Sequence, residues 1–288
     1  MTTQGWSVDG CSERLTNTRY ADDILLYAKN LQELHQMLEL LHDELAAVGL
    51  QMHEAKTKIL TSSENCGRAS LPVCGMSIEI LERSQAHRYL GKMLSLDPES
   101  RVKAELDNRL RAAWCKFNQL RRWLTNRNIH LRSRLRLFDS AVRPTALFGL
   151  LALPLSVSNL RRISGAEMRM RRCIVGWVRV GDEDWHSTMT RMKSKLEQAD
   201  RIFHTIPWLD ALQSQQFKFL AHLQRSPCSW PRNLARWSPH GLRPQGRPHL
   251  RWDDHANQSL RTKAGCNHWL NAPRATLLAL AARPSGDA

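Results

Sequence analysis

The chain has 288 residues, 42% hydrophobic and 24% charged, enough apolar material for one large domain or two small ones and too much for wholesale disorder. Its 42 Lys and Arg outweigh 27 Asp and Glu, and the net charge of +15 points to a polyanionic partner. Seven scattered cysteines without a CxxC pair argue against a disulfide framework or a Cys-rich zinc site. With no secretory leader and a longest apolar run (146–155) too short for a bilayer, they predict an intracellular protein without a membrane role.

The first thirty residues predict β-structure. Asp9-Gly10 is a two-residue hairpin signal, and a second turn is expected at Asp22-Asp23, ahead of the apolar run Ile24-Leu25-Leu26-Tyr27. Asn30 is a candidate N-cap for a helix in which Leu31, Leu34, Leu38, Leu41, Leu45 and Val48 recur at helical spacing, with Gly49 at its C-terminal end. A short polar strand is expected around 56–61 and a loop around 66–71. Two further strands, 73–81 and 89–94, are expected to form a second hairpin. From about residue 97 the texture becomes basic and amphipathic. Eleven Lys or Arg against two acids, Glu105 and Asp107, fall between Arg101 and Arg136, and Leu106, Leu110, Trp114, Phe117 and Leu120 form the apolar stripe. Helices are predicted at about 129–151, 159–175, 188–205 and 208–225, with Met168, Met170 and Cys173 as core. Residues 226–248 predict an extended Pro-, Trp- and Arg-rich connector, and 252–282 a last helical region.

The sharpest chemical signal is Tyr20-Ala21-Asp22-Asp23. Two adjacent carboxylates at a tight turn are costly unless a cation neutralises them, and magnesium prefers such oxygen ligands. The stretch 15–28 resembles the YADD hairpin of reverse transcriptases, with flanks like those of the non-LTR (LINE-type) retrotransposon branch. Next, Val48-Gly49-Leu50-Gln51-Met52 and Lys56-Thr57-Lys58 resemble the family's following motif, with His53 where Asn is common. Tyr89-Leu90-Gly91 matches its primer-grip hairpin. Near the end, Gly246-Arg247-Pro248 and Arg251-Trp252-Asp253-Asp254 resemble a segment common near the C-terminus of LINE-type proteins. Similarity is close over 12–95 and weaker to about 255.

The resemblance implies an α+β, helix-dominated fold in four segments. These are a partial palm of β-hairpins and a helix (1–95), thumb-like basic helices (96–152), a helical C-terminal region (153–226) and a Pro/Trp/Arg-rich connector and tail (227–288). It implies RNA-directed DNA synthesis with Mg2+ held by Asp22 and Asp23, and Lys56, ahead of Lys58, acting on the leaving pyrophosphate. Tyr89, Leu90 and Gly91 would form the primer grip. Arg109, Arg111, Lys116, Arg121, Arg122, Arg132, Arg134 and Arg136 would hold an RNA template with its DNA primer, or the RNA–DNA duplex, by its phosphates.

The family takes a third carboxylate from a strand upstream of the hairpin, and Asp9 and Glu13, being part of the hairpin, are poor substitutes. The expectation is therefore a fragment incompetent alone. The alternatives are a non-catalytic nucleic-acid-binding derivative, a decayed reading frame or, disfavoured by the Gly-Arg-Pro segment, a group II intron maturase. Two uses stay open for Trp230, Trp237 and Trp252 among the arginines of 211–252: stacking on single-stranded RNA, or packing the tail onto the helices. Cys228, His240, His249, His255, Cys266 and His268 lack regular ligand spacing, and no zinc site is expected.

Overall fold

The computed structural model describes residues 4–7, 14–62, 67, 69–226, 229–237 and 251–282. The fold is α+β and dominated by helix. By internal contacts it divides into two compact units. The first comprises Met1–Ala104 and Ser226–Leu242, and the second Glu105–Arg225 and Arg243–Ala288.

In the first unit, β1 (Asn17–Tyr20) and β2 (Asp23–Leu26) pair antiparallel with Tyr20 opposite Asp23. The central turn residues are thus Ala21 and Asp22, one position earlier than expected, and Asp23 opens the return strand. The predicted Asp9-Gly10 turn lies outside the described residues. Trp6 and Leu15 exchange two backbone hydrogen bonds, at 2.9 and 2.8 Å.

Helix α1 (Leu31–Ala47) begins where Asn30 predicts. Asn30 Oδ1 accepts the Glu33 amide at 2.8 Å, while the Glu33 carboxylate accepts the Lys29 and Gly5 amides at 2.6 and 2.8 Å. The first bond satisfies an amide that the first turn leaves without a helical partner, and the other two tie the incoming chain and the Gly5 segment to the start of the helix. At the other end Gly49 adopts φ +76°, and the Gly49 and Leu50 amides return to the Ala46 and Leu45 carbonyls. This is a Schellman close.

Strands β3 (Lys58–Leu60), β4 (Ser70–Val73) and β5 (Met76–Leu81) form a sheet in the order β3-β5-β4, with β3 parallel and β4 antiparallel to β5. Strands β6 (His87–Tyr89) and β7 (Lys92–Leu94) form a separate hairpin. The predicted pairing of 73–81 with 89–94 is therefore corrected, because each of those stretches belongs to its own hairpin. The reason lies in the turns. Cys74-Gly75 has φ +46° and +80°, and Leu90-Gly91 has φ +47° and +76°. Positive φ at both central residues is the type I′ pattern, which returns the chain at once onto its preceding strand. Leu38 of α1 packs on Ile59, Leu71, Val73, Ile78 and Ile80, and Leu26, Leu31, Leu34 and Met52 close the cluster.

The second unit is helical. Helix α2 (Pro98–Leu124), in which the division between units falls, is followed by α3 (Leu131–Leu137), a π-turn (Phe138–Val142), α4 (Arg143–Leu147) and a 3₁₀ turn (Leu150–Ala152). Then come α5 (Val157–Val175), α6 (Trp185–Phe203) and α7 (Trp208–Arg225). Phe138 stacks on Trp208 at 5.6 Å and meets Phe117 edge-on at 6.4 Å. Phe117, Phe138 and Trp208 thus share one packed core.

Two expectations for the later chain need correction. The connector expected at 226–248 contains helix α8 (Ser229–Arg236), assigned by contact to the first unit, where Trp237 meets Trp6 edge-on at 6.4 Å. Cys173 is exposed rather than core, although Met170 is fully buried and Met168 packs against Val175 and Met192.

Helices α9 (Asp254–Ala264) and α10 (Arg274–Ala282) complete the second unit. Trp252 lies between Phe219 and Trp269, with ring separations of 6.1 and 6.4 Å. Of the two uses left open for this tryptophan, the observed one is packing. No helix of the described residues is long and apolar enough to cross a membrane.

Candidate nucleic-acid interface and carboxylate hairpin

The β1–β2 hairpin has two unlike faces, because side chains alternate along a strand. Leu26 points into the core of the first unit. Thr18, Tyr20 and Asp23 share the other face through the pairs Tyr20–Asp23 and Thr18–Leu25. Asp22 and Asp23 are exposed at the tip. Ala21 holds the turn with φ +51°, a left-handed conformation that costs an alanine about 1–2 kcal/mol.

Tyr89 of β6 meets that second face. Burial pushes its phenol above the usual tyrosine range, the hydrogen bond to Thr18 opposes this, and the Asp23 carboxylate and Tyr27 add to the rise. Thr18 in turn lies 3.4 Å from the Tyr27 hydroxyl. The structure therefore brings the YADD hairpin and the Tyr-Leu-Gly hairpin together through Thr18 and Tyr89. Sequence reasoning missed Thr18. The available signal was its place two residues before Tyr20, on the same strand face.

At the other end of β6, His87 titrates below the usual histidine range through burial first and the Lys58 charge second, with Glu79 opposing. Lys58 is paired with Glu79 across β3 and β5 at 2.7 Å. Lys56 is exposed in the turn before β3, and among the described residues its ammonium has no partner.

As a divalent-metal site the hairpin is partial. Asp22 and Asp23 offer the oxygen donors that a hard cation prefers. Among the described residues, however, no group of three or more His, Cys, Asp or Glu side chains is arranged to hold a metal. The donor type fits and the donor number does not.

The eight cations expected at phosphates divide sharply. Arg111, Arg121, Arg122, Arg132 and Arg136 are exposed and Lys116 half-buried, with Arg122 over the Trp123 ring at 4.7 Å. Arg109 and Arg134 are each only 8% exposed. Arg109 pairs with the buried Glu105 at 2.7 Å and sits 5.1 Å from the Phe148 ring centre. Arg134 donates to the Ile129 carbonyl at 3.0 Å, the Leu124 carbonyl at 3.5 Å and the Ile174 carbonyl. Both arginines are spent inside the second unit.

The C-terminal Arg251-Trp252-Asp253-Asp254 stretch is built into the fold. Asp253 Oδ2 accepts the Trp269 indole N–H and the Asn257 amide, each at 3.0 Å, and Asp254 accepts the Arg251 amide at 2.6 Å. The Gly246-Arg247-Pro248 segment lies outside the described residues. Of the six Cys and His residues considered for zinc, Cys228, His240 and His249 also lie outside them.

Residues 5–94 match the sequence profile of the family described as reverse transcriptase (RNA-dependent DNA polymerase). The chain is also 26% identical, over 253 residues covering 86% of each sequence, to a Caenorhabditis elegans protein described as uncharacterised and transposon-derived. No solved structure matches. Residues 5–94 are thus similar to reverse transcriptases, and most of the chain is similar to a protein described as transposon-derived.

Proposed function

We propose that this protein derives from the reverse transcriptase of a non-LTR, LINE-type retrotransposon and binds an RNA template with its DNA primer, without extending the primer by itself. The observation that carries this reading is the meeting of the Asp22-Asp23 hairpin with Tyr89 in the reverse-transcriptase-like segment. In this proposal the Leu90-Gly91 turn lies against the primer, since a turn ending in glycine permits close backbone approach. The free Lys56 ammonium is placed at the leaving pyrophosphate. Arg111, Lys116, Arg121, Arg122, Arg132 and Arg136 contact duplex phosphates. Arg109 and Arg134 are left out because their guanidinium groups are buried on protein partners.

Asp22 and Asp23 are the candidate magnesium ligands. A bound divalent ion would activate the primer hydroxyl and stabilise the leaving pyrophosphate. Two carboxylates without a third among the described residues support retained binding over retained synthesis, because phosphate contacts need only placed positive charge, whereas metal catalysis needs every ligand in position.

The test is primer extension on an RNA template with magnesium, using the chain and its Asp22→Asn form, with template–primer binding measured in parallel. Equal binding and no extension by either form is expected. Extension that disappears with Asp22→Asn would establish an enzyme and overturn the proposal. Absence of binding would leave a decayed reading frame as the better account.

A further inference from the structure

Helix α5 buries Ile163, Ala166, Met170, Ile174 and the ion-paired Glu167 and Arg171 on one side. Its outward side carries Arg161, Arg162, Gly165, Arg169 and Arg172 and no acid, since Glu167, the acid of this helix, faces inward. From Arg161 to Arg172 this track runs for roughly 16 Å of helix.

Three features separate it from an ordinary solvated face. First, its charge is mostly unspent. Among the described residues Arg161 has no partner, Arg169 uses only Nε, on the Gly165 carbonyl at 3.2 Å, and Arg162 alone is paired, with Asp107. Second, Gly165 stands mid-helix, where glycine costs stability relative to alanine. A Cβ placed there would meet nothing within 4 Å, so packing within the protein does not require the glycine. Third, the track ends on aromatic rings. Arg172 lies over Trp177 at 4.8 Å, Trp177 contacts Trp185 at 6.2 Å, and Trp185 is 70% exposed.

We infer that this face binds single-stranded nucleic acid, with Arg161 and Arg169 on phosphates along the strand, the strand close to the helix at Gly165, the half-buried Arg172 holding Trp177 at the end of the track, and a base stacked on Trp185. The track is all arginine, whose planar fork suits phosphate better than an ammonium does, and an exposed indole beside it offers the stacking that a duplex cannot use along its length. An acidic protein surface would account for the charge but not for the open glycine or the exposed tryptophan. The inference rests on the nucleic-acid-binding reading above and assigns a strand site separate from the cations on α2 and α3.

The test uses a short single-stranded RNA and an RNA–DNA hybrid, with binding followed by anisotropy across a salt series and by tryptophan emission. Trp185→Ala is expected to weaken single-strand binding about 10-fold, within the range for loss of one stacked base, and to leave hybrid binding unchanged. The pair Arg161→Ala with Arg169→Ala should lower the salt slope for the single strand by roughly 1.4. Gly165→Leu should raise the melting temperature while weakening strand binding, an outcome that loss of folding cannot produce. Parent-like strand affinity in all these variants would overturn the inference while leaving hybrid binding intact. Failure of the parent chain to bind either nucleic acid would overturn both readings.

Discussion

Arg134 donates a hydrogen bond to the carbonyl oxygen of Ile174, forty residues away in the chain and in the last turn of another helix. The same guanidinium also reaches the Leu124 carbonyl in the last turn of α2. Two helix C-termini, each carrying partial negative charge on unpaired carbonyls, are closed by one buried cation. Burial pulls Arg134 below the usual arginine range, and Arg127 nearby adds to this.

Arg134→Ala is therefore expected to remove about 3 kcal/mol of stability, through three deserted carbonyls and lost packing. That corresponds to a fall of about 10 °C in melting temperature for a unit of this size. Arg136→Ala, two residues away and exposed, should leave the melting temperature unchanged and reduce the salt slope of template–primer binding by about 1. Calorimetry and salt-dependent binding on the two variants separate these roles. Similar melting for both would contradict the division.

The buried carboxyl of Glu167 gives a pH-dependent stability. Burial pushes it up to about 7, against the Trp208 amide at 3.0 Å and the Arg171 charge. Its folded value exceeds the unfolded one near 4.5, so the stability it contributes is full below about 4.5 and is lost as pH rises through about 7. Replacement by Gln keeps an acceptor for Trp208 and removes the titration. Glu167→Gln should gain on the parent chain as pH rises from about 4.5 to 7, by at most about 3 kcal/mol. Urea midpoints across that range check it, and parallel curves would refute it.

The turn of the β4–β5 hairpin is improvable. Cys74 is exposed and holds φ +46° before Gly75. Asparagine tolerates that conformation, and Asn-Gly is the favoured type I′ pair. Cys74→Asn should stabilise the first unit by about 0.5–1 kcal/mol, read from denaturation midpoints. Cys74→Val, β-branched at positive φ, should do the reverse.

Asp253→Ala tests the role of the C-terminal acidic pair. The substitution leaves the buried Trp269 indole N–H without its acceptor and frees the Asn257 amide. A loss of about 2 kcal/mol is expected, with a red-shifted tryptophan emission as Trp269 gains access to water. Unchanged stability with weakened nucleic-acid binding would instead assign Asp253 to the interface.

The sequence by itself determined the local items. Asn30 and Gly49 bracket α1 because a side-chain acceptor at one end and a left-handed residue at the other are local requirements that any fold must meet. The basic helices were legible for the same reason, since apolar spacing acts over a few residues, whereas the Tyr-Ala-Asp-Asp turn falls one position before its expected place and the Leu90-Gly91 turn falls inside a stretch expected as strand. What tertiary structure alone decided is which charges remain available. Arg134 and Arg136 are chemically identical and two positions apart. One is buried and the other exposed only because Leu124, Ile129 and Ile174 converge on the first. Strand partners were also decided there, because parallel pairing of β3 with β5 and the contact of Tyr89 with Thr18 join residues whose separation no local signal reports. The same holds for Trp252, whose ring is committed to Phe219 and Trp269 once α7 and α9 pack, and for Trp185, which stays open to solvent beside an arginine track.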